Sequence, residues 1–98
     1  MAGRGIDIGP DDFVNLSANA DLDLDAGTKY TIRNKSDYRL WLLEHQGAGV
    51  PQKDSAETLR QRDFVEPWKP AIVSYASNSV LYAWYTNKYG GTISMVEV

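Results

Sequence analysis

The chain predicts an all-β fold: a small antiparallel β-sandwich or barrel of about seven or eight short strands with an extended N-terminal arm. Three observations predict it. Apolar residues recur with period two in several short runs, as in Val80–Tyr85 and Thr92–Val98. Turn residues punctuate these runs every ten or so positions (Gly27, Asn34-Lys35-Ser36-Asp37, Pro67, Gly90-Gly91). No stretch carries a convincing amphipathic-helix period.

With 98 residues the chain is one domain. A chain of this size buries only roughly 60–65% of the surface its unfolded form exposes, so its core is marginal. There is no cysteine, which removes disulfides, thiolate metal sites and cysteine nucleophiles. The net charge of −3 is unevenly placed: residues 1–27 carry −5 and the remainder +2. An acidic chain argues against nucleic acid as a partner. No apolar run is long enough to span a bilayer, and the N-terminus lacks the apolar centre of a signal peptide, so a soluble protein without a membrane partner is expected.

In chain order, residues 1–17 read as the arm and residues 18–98 as the sandwich. Gly3, Gly5, Gly9 and Pro10 break any period, and Ile6 and Ile8 share one side of an extended chain, where they could anchor the arm on a partner. Phe13, Val14 and Leu16 suggest a strand entry. In ANADLDLDAG, Leu22 and Leu24 alternate with Asp21, Asp23 and Asp25, the pattern of a strand with leucines inward. The same acids resemble a calcium loop only superficially: the sixth and twelfth positions hold Ala26 and Ile32, where an EF-hand needs Gly and Glu.

Thr28–Arg33 and Tyr38–Glu44 are expected to form a hairpin around the polar cluster Asn34–Asp37. Gln46–Glu57 is a long polar loop, and Thr58–Arg62 fits either a strand or one helical turn. Asp63–Glu66 is a short strand stopped by Pro67. Trp68 and Pro70 then make a stiff corner suited to a half-buried ring. Ala71–Tyr75 is a further strand. Val80–Val98 closes the chain as a hairpin, turning through Asn87–Gly91.

No catalytic residue, metal ligand set or cofactor site emerges. The single histidine, His45, lies beside Glu44 at a strand end, and serines that could complete a triad lack a nucleophile-elbow motif. One histidine without cysteine does not make a usual transition-metal site. The chain is therefore expected not to be an enzyme.

Two strands are apolar on both faces. Leu40 and Leu42 oppose Trp41 and Leu43, while Tyr82 and Trp84 oppose Leu81 and Tyr85. A two-layer sandwich needs only one buried face per sheet. The excess either meets another molecule or is covered by the arm or the long loop, and the pattern leaves both open. Residues expected at an interface are Ile6, Ile8, Phe13, Trp41, Leu43, Leu81, Tyr85 and Tyr89. Glycan stacking on Trp41, Trp68, Trp84, Tyr85 or Tyr89 is the rival use of the aromatics.

The run Leu22, Leu24, Gly27, Tyr30, Ile32, Asn34, Ser36, then Leu40-Trp41-Leu42 with Glu44, Leu81-Tyr82-Ala83-Trp84 and Gly90-Gly91-Thr92 resembles small β-sandwich virion proteins of tailed bacteriophages. The resemblance spans about residues 18–98 and rests on a β-pattern, not on a catalytic signature. Pro67-Trp68-Lys69-Pro70 stands where such proteins would carry a Pro-Gly turn, which leaves the subgroup open. The resemblance implies a non-enzymatic capsid decoration (cement) protein, or a spike-base or neck component. It implies location in the virion, contact with the major capsid protein or another virion protein, and self-association, a trimer being favoured. A carbohydrate-binding or host-attachment module is the alternative.

Overall fold

The computed structural model describes residues 4–10, 12–47 and 49–98. Among these, eight strands build two four-stranded sheets: β1 (Arg4–Ile8), β2 (Val14–Asn15), β3 (Tyr30–Asn34), β4 (Leu40–Gln46), β5 (Asp63–Val65), β6 (Pro70–Val73), β7 (Ser79–Tyr85) and β8 (Gly91–Glu97). One sheet has the order β1-β8-β3-β6 and the other β2-β7-β4-β5, with every pairing antiparallel. A short helix α1 (Ala56–Gln61) lies between β4 and β5. Eight strands in this order, passing from sheet to sheet, make a small jelly roll, which is the sandwich the alternation predicts.

The period-two pattern sorts the core. Tyr30 and Ile32 of β3, Ile93 and Met95 of β8, Leu40 and Leu42 of β4, and Leu81, Ala83 and Tyr85 of β7 meet between the sheets. Burial of this set is the main stabilising term, each large aliphatic chain contributing about 1.5–3 kcal/mol.

Several expectations are corrected. Neither expected hairpin forms: β3 and β4 belong to different sheets, as do β7 and β8. Both edges of β7 are already taken by β2 and β4, so the turn after it climbs to the other sheet. Residues Thr86–Gly90 are enough chain to span the ~10 Å between layers. The turn is built for the climb. Asn87 Oδ1 accepts from the Tyr89 and Gly90 amides at 2.6 Å, and Gly90 takes φ +73°. A Cβ on Gly91 would strike the Tyr85 ring and the Ser36 side chain.

The arm is also corrected. Arg4–Ile8 pairs with β8 in full register and Ile8 is buried, while Val14–Asn15 pairs with β7. Residues 4–10 and 12–17 are thus part of the sandwich; Met1–Gly3 and Asp11 lie outside the described residues. Asp21–Asp25 is not a strand. Asn19 Oδ1 accepts from the amides of Asp21 (2.9 Å) and Leu22 (3.1 Å), a local turn that competes with extended structure. Asp23 adopts φ +50°, and the loop is pinned where Tyr75 Oη donates to the Leu24 carbonyl at 3.1 Å. Leu22 still points inward.

The apolar surplus is taken up largely within the chain. Leu81 and Tyr85 lie in the central core. Leu43, Tyr82 and Trp84 form a second cluster on the outer face of the β2-β7-β4-β5 sheet, with exposures of 3%, 5% and 1%. Phe13 stacks on Tyr82 with ring centroids 4.5 Å apart and tilts against Trp84 at 4.9 Å. The long loop and α1 roof the rest: Leu43 and His45 share a shallow cavity with Val50, Pro51, Gln52 and Thr58. Ser55 caps the helix by accepting from the Thr58 amide, and buried Thr58 donates to the Gln52 carbonyl at 2.7 Å. Arg62 lies over the Trp41 ring, 3.5 Å from its centroid.

Candidate functional site

At one end of the sandwich three loops converge: Lys35–Arg39 after β3, Glu66–Lys69 after β5, and Thr86–Gly90 after β7. The residue that joins them is Asn34, fully buried at the end of β3. Its Nδ2 donates to the carbonyls of Tyr38 at 2.7 Å and Val65 at 3.0 Å. Its Oδ1 accepts from the Tyr85 hydroxyl at 2.6 Å. Burial holds the Tyr85 phenol above the ordinary tyrosine range, so it stays neutral and keeps its proton for this bond. The Asn34 amide donates to the Lys69 carbonyl, and the Lys35 amide to the Thr92 carbonyl. A buried amide bonded to the first loop, to both ends of the second and to Tyr85 at the foot of the third makes their positions interdependent.

Each loop presents one aromatic ring. Tyr38, Trp68 and Tyr89 are 40%, 58% and 68% exposed. The Tyr38 and Tyr89 centroids are 6.3 Å apart. Trp68 is oriented by its indole Nε1, which donates to Asp37 Oδ1 at 2.8 Å. Its backbone is left-handed, φ +59°, an unfavourable conformation for a bulky side chain. The corner was legible from Pro67 and Pro70, but its ring is mostly in water, where a half-buried one was expected. Each loop also carries an exposed lysine, Lys35, Lys69 or Lys88. Arg39, by contrast, pairs with Glu66 at 3.2 Å and lies over the Phe64 ring.

Of the interface residues expected from sequence, Tyr89 alone is fully open. Ile6, Phe13 and Trp41 are half-buried, and Ile8, Leu43, Leu81 and Tyr85 are buried. The four buried residues are corrected as contact residues for a partner. For glycan stacking, Trp84 and Tyr85 are removed in the same way, and Trp68 and Tyr89 stand. Nothing in the sequence pattern marks Asn34, since a lone Asn in a polar turn cluster looks like a turn residue.

The residues considered for catalysis are held apart. Glu44 and His45 are consecutive on β4 and so face opposite sides of the sheet. Ser79 Oγ donates to Glu44 Oε2 at 2.5 Å, and the Ala76 amide donates to the same oxygen at 3.0 Å. These bonds, led by the Ser79 one, hold the Glu44 carboxyl below its usual range. Among the described residues no three histidine, aspartate or glutamate side chains converge on a metal position. No protein family, curated protein or solved structure matches the chain.

Proposed function

We propose that the protein is a non-enzymatic structural component of a tailed-bacteriophage virion, a capsid decoration protein that self-associates, as a trimer by preference, and braces the head shell beside the major capsid protein. The sequence resemblance supports this reading, and a jelly roll is an architecture that viral capsid domains use, although fold by itself does not fix function.

The observation that carries it is the open outer face of the β1-β8-β3-β6 sheet. Gly5, Thr31, Ser94 and Val96 are small residues on this face, Asp7 and Arg33 add exposed charges of opposite sign, and Ile72 on edge strand β6 is 62% exposed. Four strands about 4.8 Å apart and some five residues long offer a flat projected area on the order of 300–400 Å². A stable one-to-one complex needs roughly 800 Å² per partner. Such a face suits weak contacts multiplied by symmetry, which is how a shell gains from a small added subunit.

Sedimentation equilibrium and co-sedimentation with phage heads test the reading. The expected result is a self-associating protein that pellets with heads, both properties being weakened by Thr31→Arg. A protein that stays monomeric at about 100 µM and never pellets with heads overturns it.

A further inference from the structure

We propose that the Tyr38–Trp68–Tyr89 end is a binding site for an acidic saccharide, a pyranose bearing a carboxylate or similar anionic group. This inference does not rest on the virion role, and it concerns the opposite kind of surface from the flat sheet face.

Three features of the loop end converge on that ligand class. The first is the rings. Tyr38, Trp68 and Tyr89 are all exposed; the Tyr38 and Tyr89 rings lie 6.3 Å apart, and Trp68 is fixed to Asp37, the residue before Tyr38. Asn34 braces the first two loops and Tyr85 at the foot of the third, so the rings are positioned before any ligand arrives. The CH face of a pyranose packs on such rings, and its hydroxyls need donors and acceptors at the ring edges. Asp37, already holding the Trp68 indole, and the tyrosine hydroxyls supply them.

The second is the backbone of Trp68. Left-handed φ at a bulky residue is unfavourable, yet here it is kept between Pro67 and Pro70 and braced by the Lys69 amide donating to the Glu66 carbonyl at 3.1 Å. The strain delivers an indole to water, not to the core. Strain maintained for exposure is a mark of a binding residue.

The third is charge. Lys35, Lys69 and Lys88 place one cation on each loop, and the Lys88 Nζ lies 5.2 Å from the Tyr89 centroid. Glu66 is paired with Arg39, which leaves the three lysines against Asp37, whose Oδ1 accepts from the indole. A neutral sugar has no use for a lysine held beside its ring, or for further cations on the neighbouring loops. Single-stranded nucleic acid would use rings and cations in a groove that tracks a backbone. Here they cluster at a tip, in a chain of net charge −3.

The experiment uses the full chain, with Trp fluorescence and calorimetry against oligogalacturonate, a neutral cello-oligosaccharide and oligo-dT. Oligogalacturonate is expected to bind, with Trp68→Gly weakening it about tenfold or more, and Lys69→Gln with Lys88→Gln weakening it at low salt. Trp68→Gly also relieves the left-handed strain, so its melting temperature is expected to match or exceed that of the parent chain. That outcome separates lost binding from lost folding. Three results overturn the proposal: no binding of oligogalacturonate at about 10 mM, equal or tighter binding of the neutral oligosaccharide or of oligo-dT, or binding unchanged by Trp68→Gly.

Discussion

The two sheets of this sandwich treat their outer faces in opposite ways. Outside β2-β7-β4-β5, Leu43, Tyr82 and Trp84 are as buried as the central core, because Phe13, the loop after β4 and α1 lie across them. Outside β1-β8-β3-β6, no described segment forms a comparable roof, and most residues there, such as Thr31, Arg33 and Ser94, are small or polar, Ile72 and Val96 being the apolar exceptions. The first sheet thus has an apolar layer on each of its faces, and the second on its inner face alone. Side-chain character accounts for the contrast: a face holding Trp84, Tyr82 and Trp41 gains from cover, whereas one with no aromatic residue and with Thr31, Arg33 and Ser94 at its centre gains less.

Substitutions can break or sharpen this contrast. The largest effect is expected for Trp84→Ala, which should lower unfolding free energy by about 3–5 kcal/mol in chemical denaturation, as for a core tryptophan. A loss no greater than that of an open-face substitution would show that the roofed face is not a second core. Next, Ser55→Ala removes the cap of α1 and should cost about 1 kcal/mol. Amide exchange should then quicken in residues 55–62 while β3 and β8 keep their protection. Uniform acceleration across both sheets would mean the roof does not open independently.

Ile72→Ser on the open face should change stability by less than about 0.5 kcal/mol. A larger loss would reveal packing on that face. Smallest of all is an effect of pH at Glu44. Its folded pKa lies below its unfolded one, so the stability it adds is present at neutral pH and above its unfolded pKa, and is lost as pH falls through the folded value. Between about pH 6 and about pH 3 the parent chain should therefore lose slightly more melting temperature than Glu44→Gln. The side chain is largely exposed, which keeps the difference small.

Much of the fold could be read from sequence because alternation reports extended structure directly. The runs at Tyr30, Leu40, Val80 and Ile93 are strands within a residue or two of expectation. Pairing was not legible for a definite reason. A five-residue turn such as Thr86–Gly90 serves a hairpin or a cross-sheet arch equally well, and only the occupancy of β7 by β2 and β4 decides between them. A strand apolar on both faces also hides which side is central: Leu81 and Tyr85 took the core, and Tyr82 and Trp84 the roofed face. The site was half visible. Trp68 between two prolines signals a rigid corner, but its exposure depends on a left-handed backbone and on Asp37, thirty-one positions earlier. Asn34 gave no signal, since the partners of its Nδ2 are carbonyls that any residue could supply and the partner of its Oδ1, the Tyr85 hydroxyl, is distant in sequence.

The strand order has a consequence for how the molecule comes into being. Among the described residues, β4 and β5 are the one pair adjacent both along the chain and within a sheet. Every other pairing must wait for distant segments to find each other, so the chain has almost no local route by which to accumulate structure. Refolding should accordingly fall in the slow, millisecond-to-second range of sandwich topologies. The segment Leu40–Val65 is the natural place for it to start.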